Sequence, residues 1–267
     1  MKKYVVILAL IGFSCQTSAQ EKKKLINGMY LQWGYNKEWY TKSNIHFKMG
    51  DGNQFMLHKA RAHDKPDMGG ILKTPGDISI PQYNYRIGFY LNRQRSRAIE
   101  INFDHAKYVV TDDQRVHVTG TIDGIQVNAD SILTRENFLH LEHTDGANWL
   151  HINYVQQQTL AMTKDQKRPL FTLVWKAGAG INIPRTDFTW RGDRLNNNFH
   201  VAGYNIGAEA GFRYYPLNRF FLEFTGKSGY VRYVNALANT NALKGSTVKH
   251  GFGYLELIGL IGYDIRF

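Results

Sequence analysis

The chain has 267 residues, 43% of them hydrophobic and 13% aromatic, and its 33 Lys and Arg against 22 Asp and Glu give a net charge of +11. A single cysteine, Cys15, rules out a disulfide framework and thiolate metal sites. The mean hydropathy of −0.40 and the absence of any uninterrupted apolar run near ~20 residues argue against helical membrane spans.

The first element is a leader. Lys2 and Lys3 precede an apolar run at 4–13, and the small residues Thr17, Ser18 and Ala19 precede Gln20, which is the order of a secretory signal peptide cut after Ala19. Cleavage removes two lysines and no acid, which lowers the charge from +11 to +9. Cys15 lies inside the leader, where it could alternatively be the acylated residue of a lipoprotein site. Residues 20–28, with Lys22, Lys23 and Lys24, read as a solvated tail on the periplasmic side, leaving 29–267 for the folded body.

Eight segments then alternate apolar and polar residues with period two. They fall at 29–36, 83–92, 98–109, 149–157, 171–183, 200–214, 220–233 and 254–267. Leu31, Trp33 and Tyr35 share one face of the first, and Ile87 and Phe89 oppose Arg86 and Tyr90 in the second. In the third, His105 and Lys107 fall on the apolar parity, so the strand is expected to leave the apolar layer near His105. The last keeps Leu255, Leu257, Ile261, Tyr263, Ile265 and Phe267 on one parity, with Glu256, Asp264 and Arg266 on the other.

Long links at 37–82, 110–148, 184–199 and 234–253 alternate with tight ones at 93–97 and 215–219; the link at 158–170 is intermediate. An even count, long loops at one end and short turns at the other predict an all-β, closed antiparallel transmembrane barrel, most simply of eight strands. Within the loops, 44–48 with 54–58, and 115–122 with 125–132 around Asp123-Gly124, read as hairpins; if they entered the wall, the count would rise to ten or twelve.

An eight-strand barrel is filled by its own side chains. The polar parity supplies Arg86, Lys176, Arg213 and Lys227 against Glu100, Asp104, Glu209, Glu223 and Glu256, so an interior ion-pair network is expected. Glu209 and Glu223 are read as members of it and not as a catalytic carboxylate pair. Gly178-Ala-Gly180 and the glycines at 207 and 211 lie inside strands with no following helix, which excludes a dinucleotide loop and points to close strand contact.

The most site-like string is Glu142-His-Thr-Asp-Gly-Ala-Asn148, where His143, Thr144 and Asp145 are the candidate catalytic residues against a simple Asp-Gly turn. It is similar to the His-x-Ser-Asn stretch of the PagL-type lipid A deacylases, with His143 at the His, Asp145 where the Ser should be and Gly146 where the Asn should be. His46, His58 and His63 with Asp51, Asp64 and Asp67, and the histidines at 105, 117, 140, 143 and 151, form no pair with clear metal-ligand spacing, so neither metal nor cofactor is expected. Lys59, Arg61, Lys65 and Lys73 in the first long loop are candidate contacts to lipopolysaccharide phosphates, while scattered basic residues on an exported chain argue against nucleic acid.

A terminal Phe267 preceded at odd spacings by Ile265 and Tyr263 resembles the C-terminal targeting strand of Gram-negative outer-membrane barrels. With the strand pattern, the chain resembles the OmpA-like, OmpX-like and OmpW-like small barrels. That resemblance implies export through the secretion translocon, insertion in the cell outer membrane by the barrel assembly machinery, which would read Tyr263, Ile265 and Phe267, and contact with outer-membrane lipids. It implies a non-enzymatic envelope or surface-binding role first, a lipid A-modifying hydrolase second, and a narrow pore for small or apolar solutes third.

Overall fold

The computed structural model describes residues 26–65 and 82–267. The expected signal peptide, most of the expected tail, Cys15, Asp67 and Lys73 lie outside the described residues. Among the described residues the chain is all strand and turn. In order, it forms β1 (Met29–Tyr40), β2 (Ser43–Lys48), β3 (Gln54–Ala60), β4 (Ala62–His63), β5 (Tyr83–Tyr90), β6 (Arg97–Asp104), β7 (Tyr108–Val110), β8 (Arg115–Ile122) and β9 (Ile125–Ile132). There follow β10 (Leu139–His143), β11 (Trp149–Met162), β12 (Pro169–Asn182), β13 (Asp187–Trp190), β14 (Asp193–Asn196), β15 (Gly203–Tyr214), β16 (Phe220–Leu237) and β17 (Thr247–Ile265).

Eight of these close a ring in the order β1-β5-β6-β11-β12-β15-β16-β17, sealed by antiparallel pairing of β1 with β17 from Met29↔Ile265 to Tyr40↔Tyr254. Closure removes every edge at that level, which a hydrocarbon environment demands because lipid offers no hydrogen-bond partner. The outward parity is apolar: Leu31, Ile87, Ile152, Ile206, Phe224 and Leu257 are exposed around the ring. The inward parity is polar and buried, including Arg86, Glu100, Lys176, Glu209 and Arg213. This is a transmembrane β-barrel of eight strands. Glycine sets the wall's closeness at Gly180, where an added Cβ would lie 1.8 Å from the Leu150 carbonyl oxygen.

Several boundaries differ from the sequence expectation. The strand expected at 29–36 continues to Tyr40, because the buried Glu38 keeps the inward parity and accepts from the Gln82 amide. The strand expected at 98–109 stops at Asp104, and Val109 belongs to β7 of another sheet. The intermediate link shrinks to residues 163–168 because β11 and β12 extend toward each other, so the alternation of long and short connections is complete. The strand expected from 200 starts at Gly203, and the loop expected at 234–253 is largely strand, since β16 reaches Leu237 and β17 starts at Thr247.

The two hairpins expected in the long loops are β2–β3 and β8–β9, and they stay out of the barrel wall. They continue its sheet upward: Thr247, Val248 and Lys249 of β17 pair with Lys48, Phe47 and His46 of β2, and the order runs on through β3 and β8 to β9. A second sheet, β14-β13-β10-β7-β4, faces this extension. Phe188 and Trp190 of β13 stack on Phe47 of β2 and Phe55 of β3 at ring distances of 5.6 and 5.3 Å respectively. The long loops thus form a two-sheet cap with its own apolar core.

Candidate functional site

Three polar assemblies stand out, and the deepest is inside the barrel. The Arg86 guanidinium donates to Glu209 at 2.7 Å and to Glu223 at 3.4 Å, and lies 3.8 Å from Glu100. Lys176 lies 2.7 Å from Glu223, 3.0 Å from Glu100 and 3.3 Å from Glu209. Arg213 pairs with Glu223; Lys227 pairs with Asp104 and stands 3.7 Å from Glu256. The nine residues singled out from the inward parity thus fall into two ion-pair clusters, Arg86, Lys176 and Arg213 with Glu100, Glu209 and Glu223, and Lys227 with Asp104 and Glu256. Neutral groups complete the assembly, as Tyr30 donates its hydroxyl to Glu100 at 2.7 Å and Asn36 its amide to Glu256 at 2.6 Å. Toward the short-turn end the lumen is closed by an aromatic layer. Arg213 lies over Tyr30 and Phe221 at 4.3 and 4.5 Å from the ring centres, next to Tyr90 and Tyr215.

The second assembly is where the cap meets the barrel mouth. His143, fully buried at the end of β10, contacts Thr186 Oγ1 through Nδ1 at 3.0 Å and His250 through Nε2 at 3.1 Å. Tyr108, Tyr233 and Phe252 wall it in, and Trp149 donates to the Tyr233 hydroxyl at 3.2 Å. Burial pushes the His143 imidazole down to about 3, so it is neutral.

Thr144 points elsewhere, donating to Glu142 at 2.9 Å. Burial opposes the Glu142 charge, but hydrogen bonds from His140 and Thr144 and the Lys65 ammonium at 3.7 Å outweigh it and hold the carboxyl at about 2. His140 spans Glu142 and Asp112, and these bonds raise its pKa despite burial. A carboxylate that acidic is a poor base for a hydroxyl. Asp145 is exposed on a turn and pairs with Asn196 and, at 3.6 Å, with Arg185. The three candidate catalytic residues therefore diverge. The hydroxyl that does reach His143 belongs to Thr186, just before β13 in the link at 184–199, and it is buried away from solvent and lipid.

The third assembly is on the outside. Of the expected lipopolysaccharide contacts, Lys59 and Arg61 are exposed at the end of β3, while Lys65 is partly neutralised by Glu142. A second basic row was missed by sequence reasoning. Arg232 on β16, Lys249 on β17, and His46 and Lys48 on β2 occupy outward positions of neighbouring strands. Arg232 pairs in register with Tyr204, an exposed aromatic of the barrel's outer belt, so the row starts where the apolar belt ends. Burial and then the Arg232 and Lys249 charges push the His46 imidazole down. The missed signal was continued alternation below residue 253: His250 inward, Lys249 outward.

At the C-terminus, Tyr263 and Phe267 are exposed, and Tyr263 is paired on both sides, with Leu31 and with Phe220. Among the described residues, no group of three or more His, Cys, Asp or Glu side chains is placed to hold a metal ion.

No protein-family profile matches the chain, and no curated protein matches it. Among solved structures, it is similar to OprG of Pseudomonas aeruginosa, with 12% identity, a TM-score of 0.40, and 91% of this chain and 98% of that one covered. It is also similar to Neisserial surface protein A, with 10% identity, a TM-score of 0.37, and coverage of 90% and 97%. Ail of Yersinia pestis follows, with 11% identity, a TM-score of 0.28, and coverage of 88% and 99%. Likenesses this low carry no functional inference, and the barrel assignment stands on the strand pairing.

Proposed function

We propose that the chain is an exported outer-membrane barrel with a non-enzymatic envelope and surface-binding role, in which the cap presents basic residues to the phosphates of lipopolysaccharide. The observation that carries this reading is the outward row of Arg232, Lys249, His46 and Lys48, which begins at the upper margin of the apolar belt. Phosphates of an anionic outer leaflet lie at that height, and cations on a rigid sheet meet them with little loss of side-chain freedom. Lys59, Arg61 and Lys73 belong to the same reading as further contacts, Tyr263, Ile265 and Phe267 as the strand end handed to the assembly machinery, and residues 1–19 as the signal for the translocon.

A filled lumen and a mouth covered by a packed cap support a barrel that passes no solute. The hydrolase alternative loses support because His143 has neither Thr144 in reach nor an exposed partner. Changing Arg232, Lys249 and Lys48 together to Glu is expected to weaken binding of the refolded protein to lipopolysaccharide vesicles about tenfold at low salt and to flatten its salt dependence. Unchanged binding overturns the reading.

A further inference from the structure

The short-turn end of the barrel carries a pocket of about 400 Å3 that neither the lumen network nor the outward row uses. Four arginines from three segments converge on it: Arg93 and Arg95 from the β5–β6 turn, Arg168 from the β11–β12 turn and Arg266 from the segment after β17. Asp264 is the single acid on the lining. The aromatic layer of Tyr90 and Tyr215 floors it, so it is a blind vestibule open to the compartment at that end.

Three details mark it as built for an anion. Arg95 holds a left-handed backbone, φ 56°, where glycine or asparagine is usual, and its guanidinium stands over the Tyr90 ring at 5.6 Å and 3.7 Å from Asp264. Arg168 and Arg266 are oriented by carbonyls of the adjacent turn: Arg168 donates to Tyr215 at 2.6 Å and Arg266 to Asn218 at 2.9 Å. The Gln157 amide nitrogen lines the same space, is buried, and has no hydrogen-bond partner. A buried donor without an acceptor is costly, and an oxyanion relieves it.

We infer that this vestibule binds a soluble phosphate-bearing anion of at least two negative charges. Four guanidiniums against one carboxylate leave a surplus that a monoanion does not balance, and planar forks suit phosphate oxygens. The lining residues Tyr90, Gln157 and Thr172 are inward-facing, so the phosphate is reached from the aqueous side and not from a lipid headgroup.

The test is titration calorimetry of the full-length protein, refolded in zwitterionic micelles, with three probes: pyrophosphate, citrate and dihexanoyl phosphatidylglycerol. Pyrophosphate is expected to bind one-to-one and more tightly than either other probe. Arg93→Ala and Arg266→Ala are each expected to weaken it about tenfold, as for loss of one charged hydrogen-bonding group, and Asp264→Asn to tighten it. Lys249→Glu, on the outward row, is expected to leave it unchanged, which separates this site from the lipopolysaccharide surface. Retained heat-modifiable gel mobility certifies that each variant is folded. No pyrophosphate binding, equal or tighter binding of citrate or the lipid, or affinity untouched in folded Arg93→Ala and Arg266→Ala each overturns the inference.

Discussion

Glu223 is paired with three buried cations of the lumen, accepting from Arg86, Lys176 and Arg213. Removing one member of a buried ionic cluster leaves its partners charged without solvent, at a cost of about 3–5 kcal/mol, whereas replacing whole pairs by apolar groups is often neutral. Glu223→Gln is therefore expected to lower stability in urea titrations by that amount, and Arg86→Met with Glu209→Leu by less than the sum of the two single changes. A second expectation concerns acid. His143 falls from the ordinary 6.5 to about 3 on folding, so the unfolded chain takes up the proton first as pH drops. Its contribution to stability is complete above pH 6.5 and is lost toward pH 3, at about 1.4 kcal/mol per unit. Proteolysis of the cap between pH 7 and 4.5 should accelerate accordingly, and His143→Phe should reduce the slope. The lumen residues were legible because strict alternation assigns a side of the wall to each. His143's partner was not, since Thr186 is distant in sequence and adjoins β13, a strand buried on both faces.

The same contrast holds between elements. β2, β3, β8 and β9 were readable as hairpins because one face of each pair is wet or a turn signal joins them. β10 and β13 are buried at every position, and although Leu139 and Leu141 alternate with His140 and Glu142, and Phe188 and Trp190 with Asp187 and Thr189, runs of 5 and 4 residues are too short to stand out from a loop. Their sheet holds the cap together through Phe188, which is fully buried. Phe188→Ala is expected to cost about 3–5 kcal/mol and to make the cap protease-sensitive while the barrel keeps its folded gel mobility. Stability of the barrel falling by the same amount would show that cap and barrel form one cooperative unit. The basic row escaped notice for a related reason: a register shift between Tyr233 and Ala236 interrupts β16 where its extension begins.

At the scale of the whole molecule, an ionic core, an aromatic layer below it and a packed cap above it lie in series along one axis. On the proposed reading of a barrel that passes no solute, planar-bilayer recordings of the intact protein should show no stepwise current, and a variant lacking residues 43–60 should remain silent. A resolved single-channel current from the intact protein would contradict the sealed lumen.

β17 spans both halves of the architecture: its C-terminal part zips to β1, and its N-terminal part is the beam from which β2 hangs. Among the described strands it is also the last in chain order. The roof therefore has nothing to hang from until the hoop is complete, and its early-made hairpins must wait, unanchored, for the final stave. Chains ending before residue 247 should leave residues 43–60 open to protease even where the other staves have paired, so finishing the hoop sets the clock for raising the roof.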